Sequence, residues 1–410
     1  GYNRSMTLDL AYVRARFPGL RGSVALMDNA GGSVPTQAVV DAIHTYLTQD
    51  MVQLGASYDR SAQATSKMTA GKEAAATLLG CAFDDVVLSA STSSNMFVLA
   101  RAFAPLVGPG DEVVITEIDH EANRGAWRRL AEERGAQLRI WRLQEERLTA
   151  AGLAAVLTER TRVVAFTHCA NVIGTVHDVR GLCRTIRDAG AISVVDGVAY
   201  APHRRVDAPA LGADVYVMSL YKVYGPHLSA AYVAPALRDR LANQNHDFLE
   251  ETGSYRFMPG NASHELAASL PGIVAYLRGL DRHHGGPGEL DGAWDLIRAQ
   301  EATLGAPLLA YLRDHPKVRL IGEPDITASG PDPRVTTIAF TVHDRPSASI
   351  PPALDDHCAI RWGHFYAYEG MKALGLDPAE GIARISLVHY NTVAEVDRLI
   401  ERLDEVLSAP

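Results

Sequence analysis

Seven short apolar runs, separated by amphipathic stretches, occupy the chain between residues 86 and 233. They lie at 86–91, 112–116, 138–143, 163–167, 192–196, 215–219 and 230–233, with helical patterns such as 125–134 and 180–189 between them. A strand that is apolar along its whole length is buried on both faces, and strands linked through helices pair in parallel. The expected fold is therefore α/β, with a mostly parallel seven-stranded sheet covered by helices. Such sheets bind ligands beyond the carboxyl ends of their strands.

Two of these runs end on reactive residues. The run at 192–196 closes on Asp196, and the run at 215–219 delivers Lys222 shortly before the chain breaks at Gly225-Pro226. A lysine and a carboxylate at strand ends of one sheet are what pyridoxal 5′-phosphate (PLP) chemistry requires. The amine bonds the cofactor's aldehyde, and the acid pairs with the protonated ring nitrogen. That cation is expected to depress the pKa of Asp196.

Other strand ends carry matching groups. Ser91-Thr92-Ser93-Ser94-Asn95 precedes a helix expected over 96–103. Its hydroxyls and amides form either a phosphate cup or an ordinary helix cap, and the company of Lys222 and Asp196 favours the cup. His120 stands after the second run, where a flat imidazole can stack on an aromatic ring. Asn171 stands after the fourth, within reach of a phenolic oxygen or a carboxylate. Arg384 lies inside an apolar run. It reads either as a bidentate clamp on an α-carboxylate or as half of a buried ion pair.

The pattern changes near residue 285. A long helix, runs at 334–342, 358–362 and 383–389, and a closing helix at 393–407 indicate a smaller α+β lobe. The expected division is a large cofactor domain over 30–284 and a small domain over 285–410. The small domain is joined by an N-terminal segment over 6–29, and a Gly- and His-rich linker lies near 279–288. Residues 1–5 precede Met6 and are expected to be an appended leader. With 410 residues, 47% of them apolar, the chain can fill two cores. A net charge of −9 argues against nucleic acid or an anionic membrane as partner. No apolar run reaches the roughly 20 residues that span a bilayer, and a cytoplasmic location is expected. Cys81, Cys169, Cys183 and Cys358 are scattered and read as reduced structural thiols. The histidines lack metal-ligand spacing, so no metal is expected.

The segments 26–31, 61–65, 120–123, 171–175, 195–197, 202–203, 206–207, 222–226 and 390–397 together resemble the fold-type I PLP enzymes. The group they resemble is the class V aminotransferases of the cysteine desulfurase type, including the selenocysteine lyase-like proteins. The resemblance implies an amino acid substrate and a homodimer with shared active sites. It makes Lys222, Asp196 and His120 catalytic. Thr92, Ser93, Ser219, Tyr221, Asn171 and Asn261 become cofactor contacts, with Asn261 in a loop that reaches the partner's phosphate. Asn29, Arg361, His364, Tyr366 and Arg384 fall on the substrate side.

The departures from that pattern bear on the reaction. Desulfurases carry a cysteine on the loop after Arg-x-Gly-His, and here Tyr366 takes its place. A phenol cannot accept sulfur as a persulfide, because that step needs a thiolate. Tyr221 stands where histidine is usual before the lysine, Ala199 replaces a glutamine, Asn261 replaces a threonine, and 54–60 replaces a His-Arg segment. The expected reaction is C–S β-lysis of a cysteine S-conjugate rather than persulfide formation. Decarboxylation-coupled oxidative deamination, transamination and epimerisation are the alternatives. A non-catalytic scaffold has no need of the lysine.

Overall fold

The computed structural model describes residues 7–249, 253–327 and 333–408. The strands are β1 (Ala25–Leu26), β2 (Val86–Ser89), β3 (Glu112–Thr116), β4 (Gln137–Trp141), β5 (Thr161–Thr167), β6 (Ile192–Asp196), β7 (Val215–Ser219) and β8 (Ser229–Val233). They are followed by β9 (Val318–Ile321), β10 (Thr337–Val342), β11 (Cys358–Ala359), β12 (Arg361–Gly363) and β13 (Ile382–Ser386). All seven apolar runs enter one sheet, in the order β2-β8-β7-β6-β5-β3-β4. β7, β6, β5, β3 and β4 pair in parallel, and β8 runs antiparallel to both of its neighbours. Every residue of β3, β6, β7 and β8 is buried. Helices therefore cover both faces, and at the carboxyl ends of β5, β6 and β7 Thr167 lies beside Asp196, and Asp196 beside Val217, two residues before Ser219.

A second, antiparallel sheet has the order β12-β13-β10-β9. Its core contains Leu308, Leu312, Ile338, Phe340, Ile385, Leu399 and Leu403. The helix Leu290–Asp314 spans both bodies. Its first half, with Leu290, Trp294 and Ile297, packs on the large core, and its second half, with Leu304 and Leu308, packs on the small one. β1 pairs in parallel with β11, and the Ser386 amide donates to Met27 O, so the N-terminal segment lies on the small body. No helix among the described residues is long and apolar enough to cross a membrane.

Several elements differ from their sequence pattern. The helix expected at 96–103 starts at Thr92, because the Ser91 hydroxyl accepts the Ser94 amide and turns the hydroxyl run into the first helical turn. β9 has four residues with Arg319 exposed, too short and too mixed to register as an apolar run. The 358–362 run splits between two sheets, β11 facing β1 and β12 facing β13. The helix Pro271–His283 continues through Gly279, because its Ile273, Tyr276, Leu277 and Leu280 stripe is buried. Only the end of the glycine-rich stretch is a connection.

Candidate active site

Lys222 is the only one of the chain's five lysines that is buried. Two hydrogen bonds to Ser33 hold the backbone of its turn. The Ser33 hydroxyl donates to Lys222 O at 2.9 Å and accepts the Tyr224 amide at 2.9 Å. Tyr224 adopts φ +62°, a left-handed conformation unfavourable for a side-chain-bearing residue. Its hydroxyl donates to Pro202 O at 2.5 Å and meets His389 Nδ1 at 3.1 Å, so the turn after the lysine is over-determined. Burial lowers the Lys222 pKa to about 8 and the Arg384 charge pushes the same way, while Asp196 and Asp28 oppose.

Asp196 ends β6 with Oδ1 accepting the Val198 amide at 2.9 Å. Its pKa is raised, because burial outweighs that amide and the Lys222 charge. This is the direction set by the protein's own groups, whereas the expected depression belongs to the site with a ring cation beside the carboxylate. A buried carboxylate without a cation of its own is a receptor for one. His120 caps the helix Glu121–Arg134, its Nδ1 accepting the Ala122 amide at 3.0 Å. Burial, and then Lys222 and Arg384, lower its pKa to about 4, so the ring is neutral.

Lys222, Asp196, His120, Asn171 and Tyr221 line one cavity. Thr92, Ser93 and Ser219 line it as well. The Thr92 hydroxyl lies 2.8 Å from that of Ser219 and 3.0 Å from that of Ser229. Ser91 takes the amides of Ser94 and Asn95, leaving those of Thr92 and Ser93 at the helix start for an anion. The Tyr221 phenol hydrogen-bonds Ser219, and its pKa is nevertheless raised by burial. The ring stacks on His227 at 4.8 Å. Asn171 donates through Nδ2 to Phe365 O at 2.9 Å, and its buried Oδ1 has no partner. An orphaned acceptor, an anion cup, a buried amine and a cation-seeking carboxylate around one cavity fit PLP group by group.

None of the five substrate-side residues is in the lining of that cavity. Arg384 Nη2 pairs with Asp28 Oδ1 at 2.8 Å, Nη1 donates to Asn171 O at 3.1 Å, and the guanidinium lies 3.6 Å above the Phe365 ring. Its buried Nε has no partner. Arg361 approaches the other Asp28 oxygen at 3.5 Å. His364 accepts the Tyr366 amide at 3.1 Å, and the Tyr366 ring stands 5.2 Å from that of His120. Asn29 lies outside the cavity lining. Its amide donates to Leu26 O, Ser386 O and Asn391 Oδ1, and its oxygen accepts the Tyr390 hydroxyl. Asn261 also lies outside the lining, at φ +64°, its oxygen accepting the Ala262 amide at 2.8 Å.

Three residues that sequence reasoning passed over belong here. Thr167 and Cys169 are in the cavity wall, with the Thr167 hydroxyl donating to Cys169 O at 2.7 Å. Their signal was the β5 end that had already drawn attention to Asn171. Asp28 joins both arginines, and its signal was its place beside Asn29 in a matched segment.

Comparison with known proteins agrees with this geometry. The chain matches the family described as aminotransferase class-V over residues 25–247 and 291–399. The "Aminotransferase-like protein FGM3" of Gibberella zeae is 37% identical, the alignment covering 98% of this chain and 100% of that protein. The "Cysteine desulfurase-like protein ustD" of Aspergillus flavus is 29% identical, over 98% of this chain and 91% of its own. Among solved structures, an apo cysteine desulfurase from Thermococcus onnurineus NA1 superposes with a TM-score of 0.86 at 24% identity, covering 98% of this chain and 99% of that one.

Proposed function

This chain belongs to the aminotransferase class-V family, whose cofactor is pyridoxal 5′-phosphate, and on that premise we propose that it is a C–S β-lyase acting on a cysteine S-conjugate. One observation supports the proposal: the ring of Tyr366, which the resemblance puts at the place of a desulfurase's cysteine, stands 5.2 Å from the ring of His120 in the cofactor cavity. The chain's cysteines support it. Burial raises the pKa of Cys81, Cys169 and Cys183 to about 12 and that of Cys358 to about 11, so none is poised as a thiolate to receive sulfur.

When bound, the cofactor supplies an electron sink for charge developing at Cα. The chain's residues do the rest. Lys222, with its amine near pKa 8, takes the Cα proton. Asp196 holds the proton on the ring nitrogen. The Thr92 and Ser93 amides with the Ser219 hydroxyl seat the phosphate, and neutral His120 covers the ring. Arg384 turns its unpartnered Nε to the substrate's α-carboxylate, while Asp28 keeps the far side of the guanidinium in place. The balanced reaction consumes one water and yields a thiol, pyruvate and ammonia. The proposal includes a homodimer in the cytoplasm, with the Asn261 loop meeting the partner's phosphate.

The test is a product balance with S-methyl-L-cysteine. We expect methanethiol and pyruvate in equal amounts, without oxygen uptake. Oxygen consumption with carbon dioxide release, an inverted amino acid, or a keto acid that retains sulfur would each refute the lyase assignment and point to oxidative deamination, epimerisation or transamination respectively.

A further inference from the structure

The loop after β12 departs from ordinary backbone geometry. Phe365 and Tyr366 have φ +49° and +61°, two successive side-chain-bearing residues in the left-handed region. Four hydrogen bonds hold them there. Asn171 Nδ2 donates to Phe365 O at 2.9 Å, and the Glu121 amide donates to Tyr366 O at 2.8 Å. The Tyr366 amide donates to His364 Nδ1 at 3.1 Å, and the Ala367 amide to His364 O at 2.8 Å. Two of these anchors, Asn171 and the residue after His120, belong to the cofactor cavity or adjoin it. The site itself therefore holds the loop in its unfavourable shape.

The result is a division of labour between two rings. Phe365 turns inward and is buried beneath the Arg384 guanidinium at 3.6 Å. Tyr366 turns outward and is 65% exposed, although its ring lies only 5.2 Å from that of His120 on the cavity wall. Both arginines of this corner pair with Asp28 and lie over the Phe365 ring, with the Arg384 Nε alone left without a partner. What remains around Tyr366 is aromatic. His364 approaches it edge-on at 6.4 Å, and Tyr368 stands 5.7 Å from His364.

We propose that Tyr366 is a specificity-determining residue, its ring forming a platform at the cavity rim for a planar, aromatic β-substituent on the amino acid substrate. This rests on the reading that the cavity binds an amino acid whose carboxylate is held by Arg384. A substrate anchored there and passing His120 carries its β-substituent out against the exposed ring. Stacked or edge-on ring pairs contribute enough beyond simple burial to give about a threefold to tenfold preference.

The test is titration of the holoenzyme, followed by its visible spectrum, with L-alanine and L-phenylalanine, neither of which carries a leaving group. The readout is the ratio of the two dissociation constants. A general disturbance of the loop weakens both ligands together and leaves this ratio unchanged. We expect the wild type to favour L-phenylalanine by about tenfold, Tyr366→Phe to keep that ratio, and Tyr366→Ala to bring it close to one. An unchanged ratio in Tyr366→Ala, or a wild type that favours L-alanine, overturns the proposal. Failure of the lyase reading is distinct: the ratio then behaves as described, but S-methyl-L-cysteine releases no pyruvate.

Discussion

Lys222→Ala lowers turnover by about 10⁴-fold, the upper end of what one positioned proton carrier contributes, because the covalent hold on the cofactor is lost with the base. The visible band of the holoprotein disappears as well. The fold survives, since among the described residues the Lys222 side chain has no hydrogen-bond or ion-pair partner whose loss would leave a buried group unsatisfied. The melting temperature of the cofactor-free variant therefore stays close to that of the cofactor-free wild type. A pH dependence accompanies this result in the unsubstituted protein. Only the neutral amine attacks an aldehyde, and burial favours the neutral form, drawing the pKa down to about 8. The rate at which cofactor-free protein takes up PLP should rise with pH and level off above about 8. Stopped-flow absorbance measures it. A rate still climbing towards the ordinary lysine range would mean that the amine is not buried as described.

Asp196→Asn separates attachment from activation. The variant retains Lys222 and binds the cofactor covalently, but its amide cannot hold a proton on the ring nitrogen by charge. Turnover should fall by about 10²–10³-fold, the range seen when one charge-stabilising contact is removed from a dry site. The visible band persists. The same substitution has a second signature in cofactor-free protein. The folded pKa of Asp196 lies above its ordinary value of 3.8. Its contribution to stability is therefore full below that value and is lost as pH rises through the folded pKa. Asparagine does not titrate, so the variant loses this part of the decline. Melting curves across the acid range check the sign. A variant whose cofactor-free form declines as steeply as the wild type would show that Asp196 is not the buried group responsible.

The sheet was legible because its strands are apolar on both faces and their helices keep the opposite rhythm. The positions of Lys222 and Asp196 were legible because Asp196 closes such a strand and Lys222 stands three residues beyond one. What escaped depends on distance or on spent valence. Asp28 and Arg384 are 356 residues apart, and no local pattern pairs them. Asn29 looked available for substrate, yet its amide is consumed in closing the N-terminal segment onto Ser386 and Asn391. β9 was missed because four residues with an exposed arginine carry no periodicity. The role expected of Asn261 depends on a second subunit, which a single chain's sequence describes only through resemblance.

The central claim is that the amine of Lys222 and the carboxylate of Asp196 hold opposite sides of one cofactor ring. Borohydride reduction of the holoprotein followed by peptide mass mapping tests it most directly. The account predicts a phosphopyridoxyl group on the peptide that contains Lys222 and on none containing Lys67, Lys72, Lys317 or Lys372. A label on any of those four, or no label on a protein saturated with the cofactor, would contradict it.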